Sequence, residues 1–271
     1  MKTQELDQLE THLSEHIIGQ EEAVKETAEI LRIGEMGMAE KTRPKGSFLY
    51  LGATGVGKTE LAVCFTRYLF GDDNLIRLDM SEFQHPDSIY QFLGTSERQG
   101  VFQQLLEKTN GQGTILFDEI EKAHPPILDL LLQILDNGRL TLTDGTILDL
   151  TAYYIVLTSN IASKAIVKAR QQSGAALRRF VENQAQQILR PELFARIDSV
   201  QVFNKLTWEN LQKIARKLME QEVKRLKNAG FTFAETPKVE NILLSNDWNL
   251  NLGVRPMKRM THRYLCGQIR I

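Results

Sequence analysis

One glycine-rich stretch limits the possible folds of this 271-residue chain more than any other feature. Residues 52–59 read GATGVGKT and follow the apolar segment SFLYL at 47–51. Glycines allow a backbone to curl tightly, so that successive N–H groups point into the curve at the start of a helix. Such a loop cradles phosphates, with a lysine for positive charge and a threonine hydroxyl for Mg²⁺. The stretch therefore predicts a nucleotide-binding strand, loop and helix.

Each position within this loop has an expected role. The residues expected to face the phosphates with their backbone are Thr54, Gly55, Val56 and Gly57. Lys58 is expected to reach the β and γ phosphates, and the hydroxyl of Thr59 is expected to hold Mg²⁺. The alternative is a glycine-rich turn that binds no nucleotide. The strand before it, the helix after it and the adjoining Lys-Thr pair argue against that alternative.

Two acidic residues mark the end of another strand. Residues 114–117 read TILF, an apolar strand pattern, and Asp118 and Glu119 follow directly. Because parallel strands end at the same edge of a sheet, Asp118 is predicted to lie beside the phosphate loop and bind magnesium. Glu119 is then placed to polarise the attacking water as a general base. A strand that ends in two acids often only meets solvent, but its position downstream of a phosphate loop favours the catalytic role.

The apolar segments also predict the fold class and the domain organisation. Strand patterns occur at 47–51, 75–79, 114–117, 153–158 and 199–203. Helical patterns separate most of them, which predicts an α/β fold with a parallel sheet flanked by helices. Beyond these strands the pattern becomes mostly helical, and Thr207 is predicted to cap a long amphipathic helix. We expect a large nucleotide-binding domain at 1–203 and a small, mostly helical C-terminal domain at 204–271.

Composition excludes several other classes of protein. The longest apolar runs, such as YYIVL at 153–157, are far shorter than the roughly 20 residues needed to cross a bilayer. The net charge of −1 gives no reason to expect nucleic acid as a substrate. Lys and Arg are concentrated after residue 200, which fits either a solvated basic surface or a basic domain packed on an acidic neighbour. Cys64 and Cys266 are far apart, which indicates a reducing, cytoplasmic environment with both thiols as apolar fillers.

Shorter patterns carry weaker implications. Residues 204–207 read NKLT, which lacks the aspartate of an N-K-x-D guanine-reading motif, so ATP is favoured over GTP. His12 and His16 stand four residues apart on a predicted helix, a spacing that can bind zinc. No third ligand accompanies them in a recognised pattern, so a solvated helix face is the favoured interpretation. Nothing in the sequence indicates a Ser-His-Asp or Cys-His arrangement.

Several further strings connect these motifs with a known family. They are IIGQEEAV at 17–24, KGSFLYLG at 45–52, DMSE at 79–82, DEIEKAHP at 118–125, LQILDNGRL at 132–140, TSN at 158–160, RPELFARID at 190–198 and GVRPMKR at 253–259. Over roughly residues 17–264 the chain resembles the Clp family of ring-forming AAA+ protein unfoldases and disaggregases, especially their second ATPase module. The resemblance implies an AAA+ P-loop fold, ATP and Mg²⁺ as cofactors, and a homo-hexamer that acts on proteins. Within the first string, Ile17 and Ile18 would lie against the adenine.

The same resemblance implies three catalytic roles. Asn160 would be a polar sensor that helps Glu119 orient water near the γ-phosphate. Arg255 would be a second sensor, which reaches the nucleotide from the small domain. Arg196 would be an arginine finger that acts on ATP held by the adjacent subunit, a role that contributes about 10³–10⁵ in rate. For Arg196 and Arg255 the alternative is a surface ion pair.

Two features of the family are missing from the sequence. Family members carry a Gly-aromatic-Val-Gly loop that grips substrate in a central pore, whereas residues 94–100 read GTSERQG and contain no aromatic. Gripping an extended chain requires an apolar side chain that wedges against it. Residues 161–189 also lack the Ile-Gly-Phe or Ile-Gly-Leu string of members that feed a peptidase, so peptidase docking is not expected.

The leading functional hypothesis is a ring-forming ATPase that remodels or assembles a specific protein complex. One alternative is a threading unfoldase or disaggregase that uses other loop residues, for instance the predicted hairpin at 140–145. Another is an ATP-controlled oligomeric scaffold, in which hydrolysis only resets the assembly. Remodelling of DNA is disfavoured by the charge balance and by the lack of a basic pore loop.

Overall fold

The computed structural model describes residues 3–161, 163, 175–233, 254–267 and 269–270. The helices are α1 Thr3–His16, α2 Glu21–Glu35, α3 Lys58–Phe70, α4 Ser88–Leu93, α5 Val101–Leu106, α6 Pro125–Asn137, α7 Ala175–Ile188, α8 Pro191–Phe194, α9 Trp208–Asn228 and α10 Arg255–Cys266. The strands are β1 Gly46–Leu51, β2 Leu75–Asp79, β3 Gly113–Asp118, β4 Arg139–Thr141, β5 Ile147–Asp149, β6 Tyr153–Ser159, β7 Ser199–Val202, β8 Thr232–Phe233 and β9 Ile269–Arg270. Within these ranges, the helices lack the combination of length and hydrophobicity that crossing a membrane requires.

Parallel strands form the central sheet, in the order β2-β3-β6-β1-β7. The sheet confirms the predicted α/β fold, and each of its strands ends within one residue of the predicted bounds. The strands β1, β3 and β6 are buried along their whole length. Such continuous burial is typical of parallel strands, since helices cover both faces of the sheet.

The register of the sheet brings three segments to one edge. Leu51 at the end of β1 lies opposite Ser159 of β6, and Phe117 of β3 lies opposite Leu157 of β6. The glycine loop, the acidic pair and Asn160 follow these positions along the chain. They therefore meet at the carboxyl edge of the sheet, where open α/β sheets bind ligands.

Alternate residues of the central strands enter different cores. Phe48 and Tyr50 belong to the core that β1 shares with α1, α2 and α3. Leu49 and Leu51 belong to the opposite core, which includes residues of α4 to α8. A slip of one residue would move every side chain of the strand to the other face, so the two cores fix the register.

The C-terminal helices have small cores of their own. Thr207 caps α9 by accepting a hydrogen bond from the backbone of Asn210 at 3.2 Å, as predicted. Leu211 of α9 and Met257 of α10 belong to one apolar cluster with Leu206. The two helices therefore pack on each other separately from the main sheet, and the domain boundary at residue 204 stays a prediction.

After α9 the sequence predicts one extended piece at 231–233 and then two helices. The extended piece contributes β8, which pairs with β9 in antiparallel fashion. One of the two helices is α10, and the other falls within 234–253, outside the described residues.

The two cysteines occupy different environments. Cys64 on α3 is buried, as predicted, but Cys266 at the end of α10 is exposed, so the prediction for Cys266 was wrong. The buried residues Met257, Thr261 and Leu265 recur every four positions along α10. Cys266 comes one position after this stripe, and a helix turns by about 100° per residue, which carries its thiol away from the buried face.

One buried polar side chain connects the glycine loop to the linker, the segment 203–207 between β7 and α9. Gln20 is only 1% exposed. Its amide nitrogen donates to the carbonyl of Val56 at 3.1 Å and to that of Asn204 at 2.9 Å. Its carbonyl oxygen accepts from the N–H of Asn204 at 2.8 Å. These bonds fix the loop relative to the segment that leads into the C-terminal helices.

Replacing Gln20 by alanine should lower the free energy of unfolding by about 1–3 kcal/mol, because buried backbone groups lose their partners. Chemical denaturation measures the difference from wild type. The same change at Gln187, an exposed position of α7, is the control and should alter stability by about 0.5 kcal/mol or less. Equal losses in the two variants would contradict the role assigned to Gln20.

Candidate functional site

A cleft of about 640 Å³ lies at the carboxyl edge of the sheet, between the glycine loop, the end of α1 and the C-terminal helices. Most of the site residues predicted from the sequence line it, namely Ile17, Ile18, Thr54, Gly55, Val56, Gly57, Lys58, Thr59, Asp118, Glu119 and Asn160. These residues come from four separate segments of the chain, and the sheet register brings three of them together.

The glycine loop has the conformation that its sequence predicts. Gly55 and Gly57 adopt positive φ angles of 77° and 112°, which glycine reaches without the strain that a side chain would cause. Helix α3 begins directly after Gly57. The first turn of a helix presents unpaired N–H groups and the positive end of the helix dipole. The loop and α3 together therefore form a site suited to a phosphate.

Lys58 is almost fully buried at the base of this loop. Its ammonium group donates to the carbonyls of Gly52 at 2.6 Å and Ala53 at 2.8 Å. It also donates to the side-chain oxygen of Asn160 at 3.0 Å. Burying a cation is costly unless it is hydrogen-bonded, and these bonds match the three donors of the ammonium group. The positive charge is thereby held between the start of the loop and Asn160.

Asp118 ends β3, as predicted, and both of its carboxylate oxygens have partners. The hydroxyl of Thr158 donates to one oxygen, and the guanidinium of Arg77 donates to the other at 2.5 Å. Arg77 lies on β2 two residues before Asp79, which is opposite Asp118, so the two side chains share a face of the sheet. The cation and the hydroxyl fix the orientation of the carboxylate.

Glu119 has an unusual backbone. Its φ of 58° and ψ of 52° are left-handed, a conformation that costs a non-glycine residue about 1–3 kcal/mol. The Glu119 N–H donates to the hydroxyl of Thr158 at 3.1 Å. Its carboxylate pairs with Lys122, and this hydrogen bond raises the pKa of Lys122 above its ordinary value. The left-handed turn directs the glutamate into the cleft.

Asn160 connects the lysine with the glutamate. Its side-chain oxygen accepts from Lys58, and also from the hydroxyl of Thr54 at 3.4 Å. Its side-chain nitrogen donates to the carboxylate of Glu119 at 3.0 Å. Its backbone N–H donates to the carboxylate of Glu121 at 3.0 Å, which fixes the position of the residue. One amide group thus lies between the cation and the acid of the site.

The other end of the cleft is largely apolar. Ile17 and Ile18 line it together with Leu206, Ile214, Leu218 and Val254 from the C-terminal segment. The backbone N–H of Val254 donates to the carbonyl of Gly55 at 3.1 Å. Lys258 on α10 also pairs with Glu60 on α3 at 3.2 Å. The C-terminal helices therefore contact the glycine loop directly and close this end of the cleft.

The two predicted arginines, Arg196 and Arg255, are not among the described residues that line the cleft. Arg196 donates to the carboxylate of Asp136 at 2.6 Å and to the carbonyl of Glu192 at 2.7 Å. Arg255 is the first residue of α10, next to Val254, but its side chain lies outside what the structure describes.

The histidines of α1 are only partly on a solvated face. His16 is exposed, as expected, whereas His12 is half-buried with its ring 4.5 Å from that of Tyr68. The sulfur of Cys64 lies close to both rings, and this third metal-binding group was missed because it is remote in sequence.

A Cys-His arrangement was missed as well. The Cys266 sulfur lies 3.6 Å from a ring nitrogen of His262, whose other ring nitrogen lies 2.7 Å from the carboxylate of Glu222. Arg225 also binds Glu222, and these hydrogen bonds lower the pKa of Glu222 to about 2. The spacing of four residues between His262 and Cys266 on one helix is the signal that could have revealed the pair.

The fold and the cleft are those of a P-loop nucleotide-binding ATPase with a small helical domain over the apolar end of the cleft. Comparison with sequence families gives two matches. A family described as AAA domain (Cdc48 subfamily) matches residues 43–200. One described as the C-terminal, D2-small domain of ClpB protein matches residues 206–269. The chain belongs to the Clp/Hsp100 family of AAA+ ATPases.

Individual curated relatives support the same family assignment. The chaperone protein ClpB of Aquifex aeolicus is 38% identical over 97% of this chain and 27% of its own length. The ATP-dependent Clp protease ATP-binding subunit ClpA homolog of Cyanidium caldarium is 34% identical over 97% of this chain and 33% of its own. The chain spans a third or less of the length of these two curated relatives.

A solved structure is similar over nearly the whole chain. It is a closed-state cryo-EM reconstruction of Hsp104 with ATPγS and FITC-casein, with a TM-score of 0.86 and 30% identity. The match covers 97% of this chain and 47% of that one.

Replacing Thr158 by valine should lower the rate of ATP hydrolysis by about 10–100-fold, because the hydroxyl that orients both Asp118 and Glu119 is lost. Steady-state phosphate release measures this effect, and binding of a fluorescent ATP analogue should remain. Thr158→Ser keeps the hydroxyl and should retain most of the activity. If the valine and serine variants lost activity equally, the hydroxyl would not be the important group.

Proposed function

We propose that the chain hydrolyses ATP in this cleft and uses the reaction to unfold or disaggregate protein substrates. The observation that carries the hydrolysis is the hydrogen-bonded connection of Lys58, Asn160 and Glu119. The ammonium group of Lys58, which would bind the phosphates, lies on one side of the Asn160 amide. The carboxylate of Glu119, which would activate the attacking water, lies on the other side. Phosphoryl transfer depends mostly on such positioning and charge stabilisation.

Mg²⁺ fits the donors that the cleft offers. The Thr59 hydroxyl and the Asp118 carboxylate are oxygen ligands of the kind that Mg²⁺ prefers, and phosphate oxygens would complete the set. When bound, the ion would neutralise part of the charge on the transferring phosphoryl group. Thr158 and Arg77 orient the Asp118 carboxylate, while Glu119 takes a proton from the attacking water.

The position of Arg196 supports action on a neighbouring subunit. Its guanidinium belongs to an ion pair with Asp136 outside the cleft of its own chain. In a homo-hexameric ring, Arg196 would reach the ATP of the adjacent subunit, and hydrolysis would then depend on assembly. Arg255 would serve its own cleft, because α10 begins directly after the contact between Val254 and Gly55.

Replacing Arg196 by alanine should lower ATP turnover by about 10³–10⁵-fold, while ATP still binds. Lys58→Ala should also be inactive, because it loses the phosphate contact. A mixture of the two variants should regain part of the activity, since it contains interfaces with an intact loop and an intact finger. Phosphate release and sedimentation of the mixed rings measure this.

Arg190→Ala is the matched control for the finger. Arg190 is a nearby arginine with a similar exposed ion pair, to Asp129, and its loss should leave turnover nearly unchanged. Retained turnover in Arg196→Ala, or mixed rings without activity, would contradict action between subunits.

Protein unfolding is favoured over the leading hypothesis from the sequence, which was the remodelling of a specific complex. The relatives that match nearly the whole chain carry the names of chaperones and Clp proteins, and one matching structure contains casein. These names contain no reference to the assembly of a specific complex. The expected lack of peptidase docking stays a prediction.

A hairpin next to the short loop offers a surface for the substrate. The loop 94–100 is closed by a bridge between Gly94 and Gln99 and is therefore a compact turn. The hydroxyl of Thr143 in the β4–β5 hairpin donates to the carbonyl of Gly94 at 3.1 Å, which joins the two loops. Ile147 on this hairpin is 60% exposed and can supply the apolar contact that the loop lacks. We assign substrate contact to the hairpin.

A partner-specific remodelling ATPase is the second candidate. The composition of loop 94–100 favours it, because polar side chains grip an arbitrary extended polypeptide weakly. The unfoldase should unfold a folded domain without any specific partner. The partner-specific remodelling ATPase should not.

An assay that follows the unfolding of a fluorescent reporter with an unstructured tail distinguishes the two candidate functions. Wild-type protein with ATP should extinguish the fluorescence, and Ile147→Ser should slow this severalfold with unchanged ATP hydrolysis. Ile188→Ser, at an equally exposed isoleucine on α7, is the control and should have no effect. Active hydrolysis without any unfolding would contradict the unfoldase and favour the second candidate.

A further inference from the structure

Three metal-binding side chains meet on the wall of the cleft formed by α1 and α3. They are His12 and His16 of α1 and Cys64 of α3. One ligand atom from each residue, a ring nitrogen or the sulfur, lies within 4.8 Å of the corresponding atoms of the other two. The cluster is separate from Asp118 and Thr59, the expected ligands of Mg²⁺.

Helix packing explains why these groups converge. His12 and His16 are four residues apart, so both project from the same face of α1. Leu9 and Leu13 of α1 enter the core with residues of α3, which sets the two helices side by side. Cys64 then faces the histidine pair. The rings of His12 and His16 are stacked with their centroids 4.4 Å apart.

A hydrogen bond within the pair leaves one ring nitrogen of His16 available to bind a metal. The carbonyl of His12 can only accept a hydrogen bond, and Nδ1 of His16 lies 2.8 Å from it. The proton of His16 therefore resides on Nδ1, which leaves the lone pair of Nε2 available. Metal-binding histidines are commonly oriented by such a bond from the ring nitrogen that does not bind the metal.

We propose that His12, His16 and Cys64 form a binding site for Zn²⁺ or a similar borderline-soft divalent metal. Two imidazole nitrogens and one thiolate are a donor set typical of zinc. Three protein ligands leave the fourth tetrahedral position to water in the open cleft.

The charges around the cluster permit a bound cation. Burial and the neighbouring His16 lower the pKa of His12, which favours the neutral ring that a metal requires. Burial and Glu60 raise the pKa of the Cys64 thiol to about 11, so a metal must displace the thiol proton, as thiolate-bound metals do. Lys217 opposes a cation here, but its ammonium is held by the carbonyl of Glu15 at 2.5 Å.

Cobalt is the spectroscopic probe for this site. Titrating the full chain with Co²⁺, in a thiol-free reductant, should produce a thiolate-to-cobalt charge-transfer band and visible bands of tetrahedral intensity. Zn²⁺ should remove both by displacing the cobalt. Cys64→Ser should abolish the charge-transfer band, and His16→Gln should weaken metal affinity by about 10–100-fold. His16 is exposed, so its variant tests the site without disturbing the core.

The other His-Cys pair of the chain provides the control. His262 and Cys266 also stand four residues apart and are in contact, so the double variant His262→Gln, Cys266→Ser removes equivalent groups elsewhere. That variant should keep the full cobalt spectrum. The proposal is overturned if wild type shows no charge-transfer band, if the band survives Cys64→Ser, if His16→Gln binds as tightly as wild type, or if the control variant loses the band.

Discussion

The parallel pairing of β3, β6 and β1 is the constraint on which the rest of the site depends. Leu51 opposite Ser159 and Phe117 opposite Leu157 set where these three strands end relative to one another. Each strand is followed by a different chemical group, namely a phosphate loop, an acidic pair and an amide. Because their ends are level, the groups fall within hydrogen-bonding distance. Two apolar cores, one on each face of the sheet, hold this register in place.

The amide of Asn160 suits its central position because it is both a donor and an acceptor. Its oxygen accepts from Lys58 and its nitrogen donates to Glu119, a combination that a carboxylate or an ammonium group cannot provide. Thr158 has a similar dual function, since its hydroxyl donates to Asp118 and accepts from the N–H of Glu119. Thr158 and Asn160, on either side of the last residue of β6, thus orient both acids of the site.

Contacts across the cleft connect the glycine loop to the C-terminal segment at two places. Gln20 connects the glycine loop to the linker at Asn204, and Val254 contacts the loop from the C-terminal side. A change in the loop on nucleotide binding would therefore act on both ends of the C-terminal segment. The same cleft contains the cluster of His12 and Cys64, so the proposed metal site lies beside these contacts.

The sequence by itself determined the parts that depend on local patterns. The period of apolar residues predicted the strands, the glycines predicted the turn before α3, and the cap at Thr207 followed from a single hydroxyl. Only the tertiary structure decided the contacts between distant segments, such as Arg77 with Asp118 and Cys64 with the histidines. Even the exposure of Cys266 depended on which face α10 buries. Side-chain identity sets what a group can bind, but its partners depend on how helices and strands pack.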